Sequence, residues 1–318
     1  VTTSKSTDEI VKAFGKNGKF LFGPLSRHSN TDTMRFFEEV GVKLKEEQGS
    51  RIFPDSNSAE TIRDSLEAEM QKANVTIKLE TTVKSIKPPS PSNEFFTISV
   101  GKQEHLQSKT VIIATGGRSY PRTGSTGNGY RFAQELGHTI IAPTASLVPL
   151  YVDSGEVRSL AGLGLKHVRI TFFRSDRPDP YCSYFGEMLF THKGISGPIV
   201  LEASKHIGHL LAEIGNSPSG VKIKATIDLK PALSEKQISQ RIHRESEESP
   251  KSEYKTMLAG FLPKSLIDVA IHRTNIDPHQ QISTLSREQK DSFIAFLKNF
   301  DFNITAIAPI EQGVVTAG

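Results

Sequence analysis

The residues whose types and spacing suit chemistry lie in two stretches. The first is Val111 to Gly129, VIIATGGRSYPRTGSTGNG, where an apolar run meets Gly116, Gly117, Gly124, Gly127 and Gly129. Without Cβ atoms, such a loop lets backbone N–H groups approach a ligand closely or adopt φ > 0. Lys109 to Thr115 ends in the continuous run Val111-Ile112-Ile113-Ala114, which reads as a central strand of a parallel sheet. In open α/β sheets the C-terminal end of such a strand is where ligands sit. A helix is expected from near Thr126, capped by Ser125 or Thr126, with Tyr130, Phe132, Ala133 and Leu136 on its apolar face and Gly137 as its C′ glycine. Strand, glycine loop and helix N-terminus together suit an anion such as a phosphate. A tight connection with no ligand is the competing reading. The spacing is neither G-x-G-x-x-G nor G-x-x-x-x-G-K-[ST], so neither a first dinucleotide fingerprint nor a P-loop is present.

The second stretch is Met188 to Pro198, MLFTHKGISGP. It places Thr191, His192, Gly194, Ser196 and Gly197 on a strand-to-helix turn with Gly197-Pro198 at the helix start. A hydroxyl, an imidazole and backbone donors meet there and suit proton donation or hydrogen bonding to a carbonyl. The bland alternative is a helix cap, with Ser196 as N-cap and His192 satisfied in the core. Gly194-Ile195-Ser196-Gly197-Pro198 is not a G-x-S-x-G nucleophile elbow. The ten histidines show no H-x-x-x-H or H-E-x-x-H spacing with carboxylates, so no metal site is expected. The single cysteine, Cys182, excludes an intramolecular disulfide and reads as a small half-buried residue rather than a nucleophile.

Ala114 to Gly129 with Gly137-His138-Thr139-Ile140, followed at the right distance by Met188 to Pro198, resembles the bacterial YhiN-like and BaiN-like FAD-dependent oxidoreductases. The resemblance runs from Lys12 to the last residue. It implies an α/β fold, a FAD/NAD(P)-binding Rossmann-like domain of glutathione-reductase type with an inserted β-layer plus helical domain. It implies FAD as cofactor and NAD(P)H as reductant. The cofactor-binding residues it implies are Ala114, Thr115, Gly116, Gly117, Tyr120, Pro121, Gly124, Ser125, Thr126, Gly127 and Gly129. Val83 stands where the resemblance implies adenine packing, and a core valine explains it equally well. His192 and Thr191 are the catalytic candidates. The implied reaction delivers hydride through flavin to an activated C=C, in the uracil of a ribosomal RNA nucleotide or in a steroid-like enone. A flavin-free binding or assembly module is the alternative of a different class.

The family also begins with a βαβ unit bearing G-x-G-x-x-G and continues in glycines beyond a stretch like Val314-Val315-Thr316-Ala317-Gly318. Neither feature is present here. The Rossmann-like domain is therefore expected to be incomplete, the chain a fragment without the parts that hold the ADP half of FAD. On that expectation it purifies without flavin colour.

With 318 residues, 36% hydrophobic and 23% charged, the chain suits two ordinary cores. No run approaches eighteen apolar residues and no basic-then-apolar leader is seen, so the expectation is a cytoplasmic protein with no membrane partner. The net charge of +4 permits an RNA partner without demanding one. Lys16, Lys19 and Arg27, and Lys264 with His272 and Arg273, are the only concentrations of basic residues.

The elements that must position these residues follow from periodicity. Helices are expected at residues 7–15 (cap Thr7 or Asp8), 31–40 (cap Thr31 or Asp32) and Ser58 to Ala73, with a hairpin from Val42 to Pro54. Val75 to Leu79, Val83 to Ile86 and Phe95 to Val100 read as short strands of a meander attached to the parallel sheet. The glycine-rich character fades at Leu150. The expected domains are 1–150, FAD-binding; 151–305, insert; and 306–318, a return to the first. Within the insert, Val168 to Phe173, Glu187 to Thr191 and the alternating Val221 to Leu229 read as strands. Ser196 to Leu211, Ser234 to Ser246, Tyr254 to Leu258, Pro263 to Arg273 and Ser286 to Asn299 read as helices. Phe302 to Ala308 reads as a strand leading back to the sheet.

Overall fold

The computed structural model describes residues 1–47, 49–101, 104–215 and 220–317; Gly318 and the Lys16 side chain lie outside the described residues. The chain forms two units, Val1–Thr82 and Val83–Gly318.

In the first unit β1 (Thr2–Thr3), α1 (Thr7–Ala13), a 3-10 segment (Gly15–Leu21), α2 (Phe22–Arg27), α3 (Asn30–Glu39), β2 (Leu44–Glu47), β3 (Arg51–Pro54) and α4 (Ala59–Lys72) follow in order. The cap of α1 falls one residue and that of α3 two residues earlier than the periodicity suggested. Ser6 pairs with Glu9 and Ser29 with Asp32 in reciprocal capping boxes, which satisfy two orphan donors each. The expected hairpin is present, with β2 and β3 antiparallel and β1 on the far edge of β3. Buried Asn30 donates from Nδ2 to the carbonyls of Thr3 (2.6 Å) and Lys5 (3.0 Å), tying α3 to β1. Helix α4 spans the expected residues, with Ser58 as its cap. Val75 to Leu79 forms no strand, and Leu79 is 81% exposed. Alternation alone does not hold a strand that has no neighbour to pair with.

The second unit opens with a meander of the two expected strands β4 (Val83–Lys87) and β5 (Phe96–Val100) and a third that was not expected, β6 (Glu104–Ser108), antiparallel in that order. After α5 (Asn128–Glu135) and β7 (Thr144–Ser146) come β8 (Leu150–Val152), α6 (Gly155–Ser159), β9 (Gly164–Arg174), β10 (Pro180–Thr191), β11 (Gly194–Ser196), α7 (Pro198–Gly215) and β12 (Ile223–Asp228). Four helices follow, α8 (Glu235–Glu248), α9 (Tyr254–Phe261), α10 (Lys264–Thr274) and α11 (Arg287–Lys298), then β13 (Phe300–Ile307) and β14 (Val315–Ala317). Strands β10-β11-β8-β13-β12-β9 close into a barrel, and β14 pairs with β7. The inserted β-layer is this barrel. Its interior is filled by inward residues such as Ile170, Phe172, Phe190, Ile195, Ala225 and Ile227, all fully buried. The helical layer continues the same core through Ile238, Leu258, Phe261, Leu266, Phe293 and Leu297.

Two expectations are corrected here. Val111 to Ala114 is not a strand, and every strand pairing among the described residues is antiparallel. An apolar run is stable as a central strand only with neighbours on both edges and cover on both faces. Among the described residues none pairs with it, and Ile112 is 90% exposed. Strand β13 does not lead back to such a sheet; it closes the barrel between β12 and β8. No helix among the described residues is long and apolar enough to cross a membrane.

Candidate functional site

The first glycine stretch forms a loop folded on itself. Tyr120, at φ +50, precedes a single 3-10 turn over Pro121–Thr123, closed by Thr123 N–H and Oγ1 donating to the Tyr120 carbonyl at 2.9 and 2.8 Å. Gly124 follows at φ +100 and Gly127 at φ +85, conformations that side chains rarely adopt. Helix α5 starts two residues later than expected. Its N-cap is Gly127, not Ser125 or Thr126, so no side-chain oxygen caps it, and no acidic residue lies in its first turn. Its C-terminus is as expected: Gly137 at φ +91 donates to Gln134, and His138 to Ala133, a Schellman closure.

Close approach explains the other glycines. A Cβ on Gly116 would lie 2.7 Å from Ser125 Oγ, and one on Gly129 would overlap Thr115 Oγ1 and lie 3.1 Å from Ile113 Cγ2. Ala114, Thr115, Gly116 and Thr126 are exposed, and Gly129 is buried. Val83, half-buried, begins β4 opposite Val100. The meander reaches α5 through Arg131, which donates from Nη2 to the Lys84 carbonyl at 2.9 Å.

A residue that the sequence reading passed over holds this loop. Thr316 Oγ1, on β14, accepts from Arg118 N–H (2.8 Å) and Ser119 N–H (3.1 Å) and lies 2.9 Å from Ser119 Oγ. A Cβ on Gly117 would overlap that same hydroxyl. Only the pairing of β14 with β7 brings Thr316 there, across nearly two hundred residues of chain, and no local spacing signals it. Beside the loop, Tyr130, Thr139, Ile140, Ile141, Pro143, Thr316 and Ala317 line a cleft of about 270 Å³. Ala114–Gly117 and Gly124–Gly129, expected at the edge of a parallel sheet, do not line it.

The second stretch closes the barrel. Thr191 ends β10 and its Oγ1 accepts from Gly194 N–H at 3.1 Å, bracing the turn into β11. His192 is exposed at that turn. Ser196 is the last residue of β11, in register with Leu189, rather than a helix cap; α7 begins at Pro198, and the Gly197 carbonyl accepts from Leu201 N–H at 2.9 Å. No hydrogen bond or ring contact among the described residues joins Thr191 or His192 to the glycine loop. Cys182 is half-buried on β10, and burial pushes its thiol up to about 11. At pH 8 thiols then outnumber thiolates roughly a thousandfold. The expected result is slow reaction with Ellman's reagent in the native protein and stoichiometric reaction in denaturant; fast native labelling would contradict it.

The loop residues fit a phosphate-bearing cofactor. The glycines keep side chains off the backbone and α5 presents an uncapped positive N-terminus with no competing carboxylate. Residues 1–228 match the family described as HI0933-like protein Rossmann domain, and residues 144–315 match HI0933-like protein barrel and H2TH domain. Among curated proteins, the chain is 28% identical to a ribosomal RNA dihydrouridine synthase of Haemophilus influenzae, over 95% of this chain and 70% of that protein. It is 27% identical to a 3-dehydro-bile acid delta(4,6)-reductase of Clostridium scindens, over 98% of this chain and 74% of that protein. A ribosomal RNA dihydrouridine synthase of Escherichia coli is 28% identical, over 85% of this chain and 64% of its own length. The closed barrel and the helices packed on it fall within the part matched as barrel and H2TH domain, the glycine loop within the part matched as Rossmann domain, and the chain belongs to the HI0933-like proteins.

Proposed function

We propose that the protein is an FAD-dependent oxidoreductase, with NAD(P)H as reductant, that reduces an activated C=C. The observation that supports this reading is the glycine loop, pinned by Thr316 and leading into an α5 that no side chain caps. Both kinds of relative support the reaction class, since a dihydrouridine synthase and a delta(4,6)-reductase each saturate a carbon–carbon double bond. When bound, FAD carries the hydride between nicotinamide and substrate. The chain's own part is to bind and orient. Backbone N–H groups of Gly116, Gly117 and the first turn of α5 receive the anionic portion, while Thr316 fixes the loop that offers them. His192, whose side chain makes no hydrogen bond among the described residues, is assigned the proton donor's place, with Thr191 bracing its turn.

For the substrate we favour the uracil of ribosomal RNA over a steroid-like enone, because two of the three relatives act on ribosomal RNA and the net charge is +4. NAD(P)H and ribosomes share the cytoplasm, which is the location this reading requires.

FAD titrated into the protein, followed by flavin fluorescence, tests the assignment. Thr316→Val keeps the shape of the side chain but removes the acceptor for two N–H groups and the contact with Ser119 Oγ. At about 1 kcal/mol per lost bond, affinity is expected to fall at least tenfold with the circular dichroism unchanged. Equal FAD affinity in wild type and variant would remove Thr316 from the site. No saturable FAD binding by the wild type, with RNA still bound, would favour the flavin-free module.

A further inference from the structure

The outward face of the β9–β10 ribbon has no role in the barrel core. Along β10, Tyr181, Phe185 and Leu189 point outward and are 41%, 55% and 40% exposed. Beside them on β9 stand the exposed Lys166, His167 and Arg169. The Arg169 guanidinium lies 5.8 Å from the Phe185 ring centroid, and the His167 ring lies 6.3 Å from it at 32°. Two features set this face apart from scattered surface residues.

First, the chain holds His167 in a conformation it would not otherwise take. Val168 faces Gly186 and Leu165 faces Met188, so two residues of β9, Lys166 and His167, oppose the single Glu187 of β10. This is a β-bulge, and His167 occupies it at φ +55, where glycine is the usual choice. A non-glycine residue there costs about 1 kcal/mol or more. The bulge turns two consecutive side chains outward and sets the imidazole beside Phe185.

Second, among the described residues these basic side chains have no anionic partner, and Arg169 touches only the Phe185 ring. Among the described residues no ion pair or side-chain hydrogen bond involves Lys166, His167 or Arg169. Two carboxylates lie near. Asp228, in register with Arg169 on β12, is bound by Lys298 Nζ at 2.5 Å, and Glu187 sits in the bulge itself. Arg169 and Lys166 are left for a ligand.

We propose that this face binds single-stranded RNA, with bases stacked on Phe185 and Tyr181 and phosphates met by Arg169 and Lys166. The inference rests on the reading of RNA as substrate and names the surface that presents it. Exposed aromatics along one strand, with basic residues on the strand beside it, can stack unpaired bases and meet their phosphates, since every base has a π-face and duplex RNA hides it. A purely apolar partner would bury the cations at the centre of the patch without a counter-charge, whereas a phosphate backbone supplies one beside each stacked base.

The test is fluorescence anisotropy with a labelled oligouridylate of twelve nucleotides, at several salt concentrations. Phe185→Ala is expected to weaken binding about tenfold. Arg169→Gln is expected to weaken it and to lower the salt slope by about one. A twelve-base-pair RNA duplex should compete poorly. Wild-type affinity in both variants, equal binding of duplex and single strand, or no binding by the wild type overturns the proposal. So does a wild-type dimer in sedimentation that Phe185→Ala dissociates without loss of RNA binding, which would make the face an interface between copies. FAD titration of the same variants separates the two readings: FAD binding kept while RNA binding is absent sinks this surface alone, and the reverse sinks the oxidoreductase.

Discussion

Gly194→Ala is expected to destabilise the barrel by about 3 kcal/mol or more, read as a lower urea midpoint in circular dichroism. Gly194 begins β11, the three-residue strand that joins β10 to β8 and completes the ring. A Cβ there would overlap the Leu150 carbonyl oxygen and lie 3.0 Å from Tyr151 Cα and Val152 N. These are backbone atoms of a paired strand, so no side chain can swing aside. Relief requires parting β11 from β8, which would open the closed sheet. Gly197 repeats the constraint at φ +94, with its Cβ position 2.8 Å from Met188 Cα and 2.9 Å from Leu189 N. Gly155→Ala is the control: it meets nothing within 4 Å and opens α6, so it should be neutral or slightly stabilising. A Gly194→Ala protein as stable as wild type would mean that β11 does not close the barrel as described.

That result bears on why Met188 to Pro198 reads so clearly in the sequence. Its glycines are demanded by barrel closure, so the motif signals architecture, and the proton-donor role of His192 is a separate proposal. What was legible was local. The alternation of Val221 to Leu229 gave β12, with Ile223, Ala225 and Ile227 inward. Ser58, Ser234 and Ser286 stood at helix starts as expected and Gly137 at an end, whereas Ser6 and Ser29 were passed over for the threonines and aspartates that follow them. What was not legible depended on partners remote in sequence. Val111 to Ala114 has the composition of a buried strand, but composition does not supply the neighbours that bury it. The Ser196 cap failed because a three-residue strand leaves no periodicity to read. Thr316 was missed because a threonine near a chain end carries no signal until β14 lies against the loop.

Phe293→Ala is expected to cost about 3–5 kcal/mol, a large share of the stability of any domain. Its ring is 1% exposed on α11 and meets Tyr254 edge-on at 5.9 Å and Phe261 at 5.4 Å, with interplanar angles of 88° and 90°. Those rings sit on α9, so truncation leaves a cavity between two helices that other contacts also hold in place. Tyr254 cannot rotate into it, because its hydroxyl lies 3.1 Å from Thr274 Oγ1, which in turn donates to the Ala270 carbonyl at 2.7 Å. Burial pushes the Tyr254 hydroxyl up to about 12, so this contact persists at any pH where the protein would be assayed. The cavity therefore stays open, which puts the cost toward the upper end of the range. The buried residues of α8–α11 are continuous with those of the barrel through Phe296, Phe300 and Phe302, whose rings succeed one another at 5.4 and 5.9 Å. A single core should melt once. Urea unfolding of the variant, followed both by circular dichroism and by exposure of the barrel thiol Cys182, should then show coincident transitions at a lower midpoint. If helicity were lost while Cys182 stayed protected, the helical layer would be a separate folding unit, and the ring succession from Phe296 to Phe302 would not couple it to the barrel.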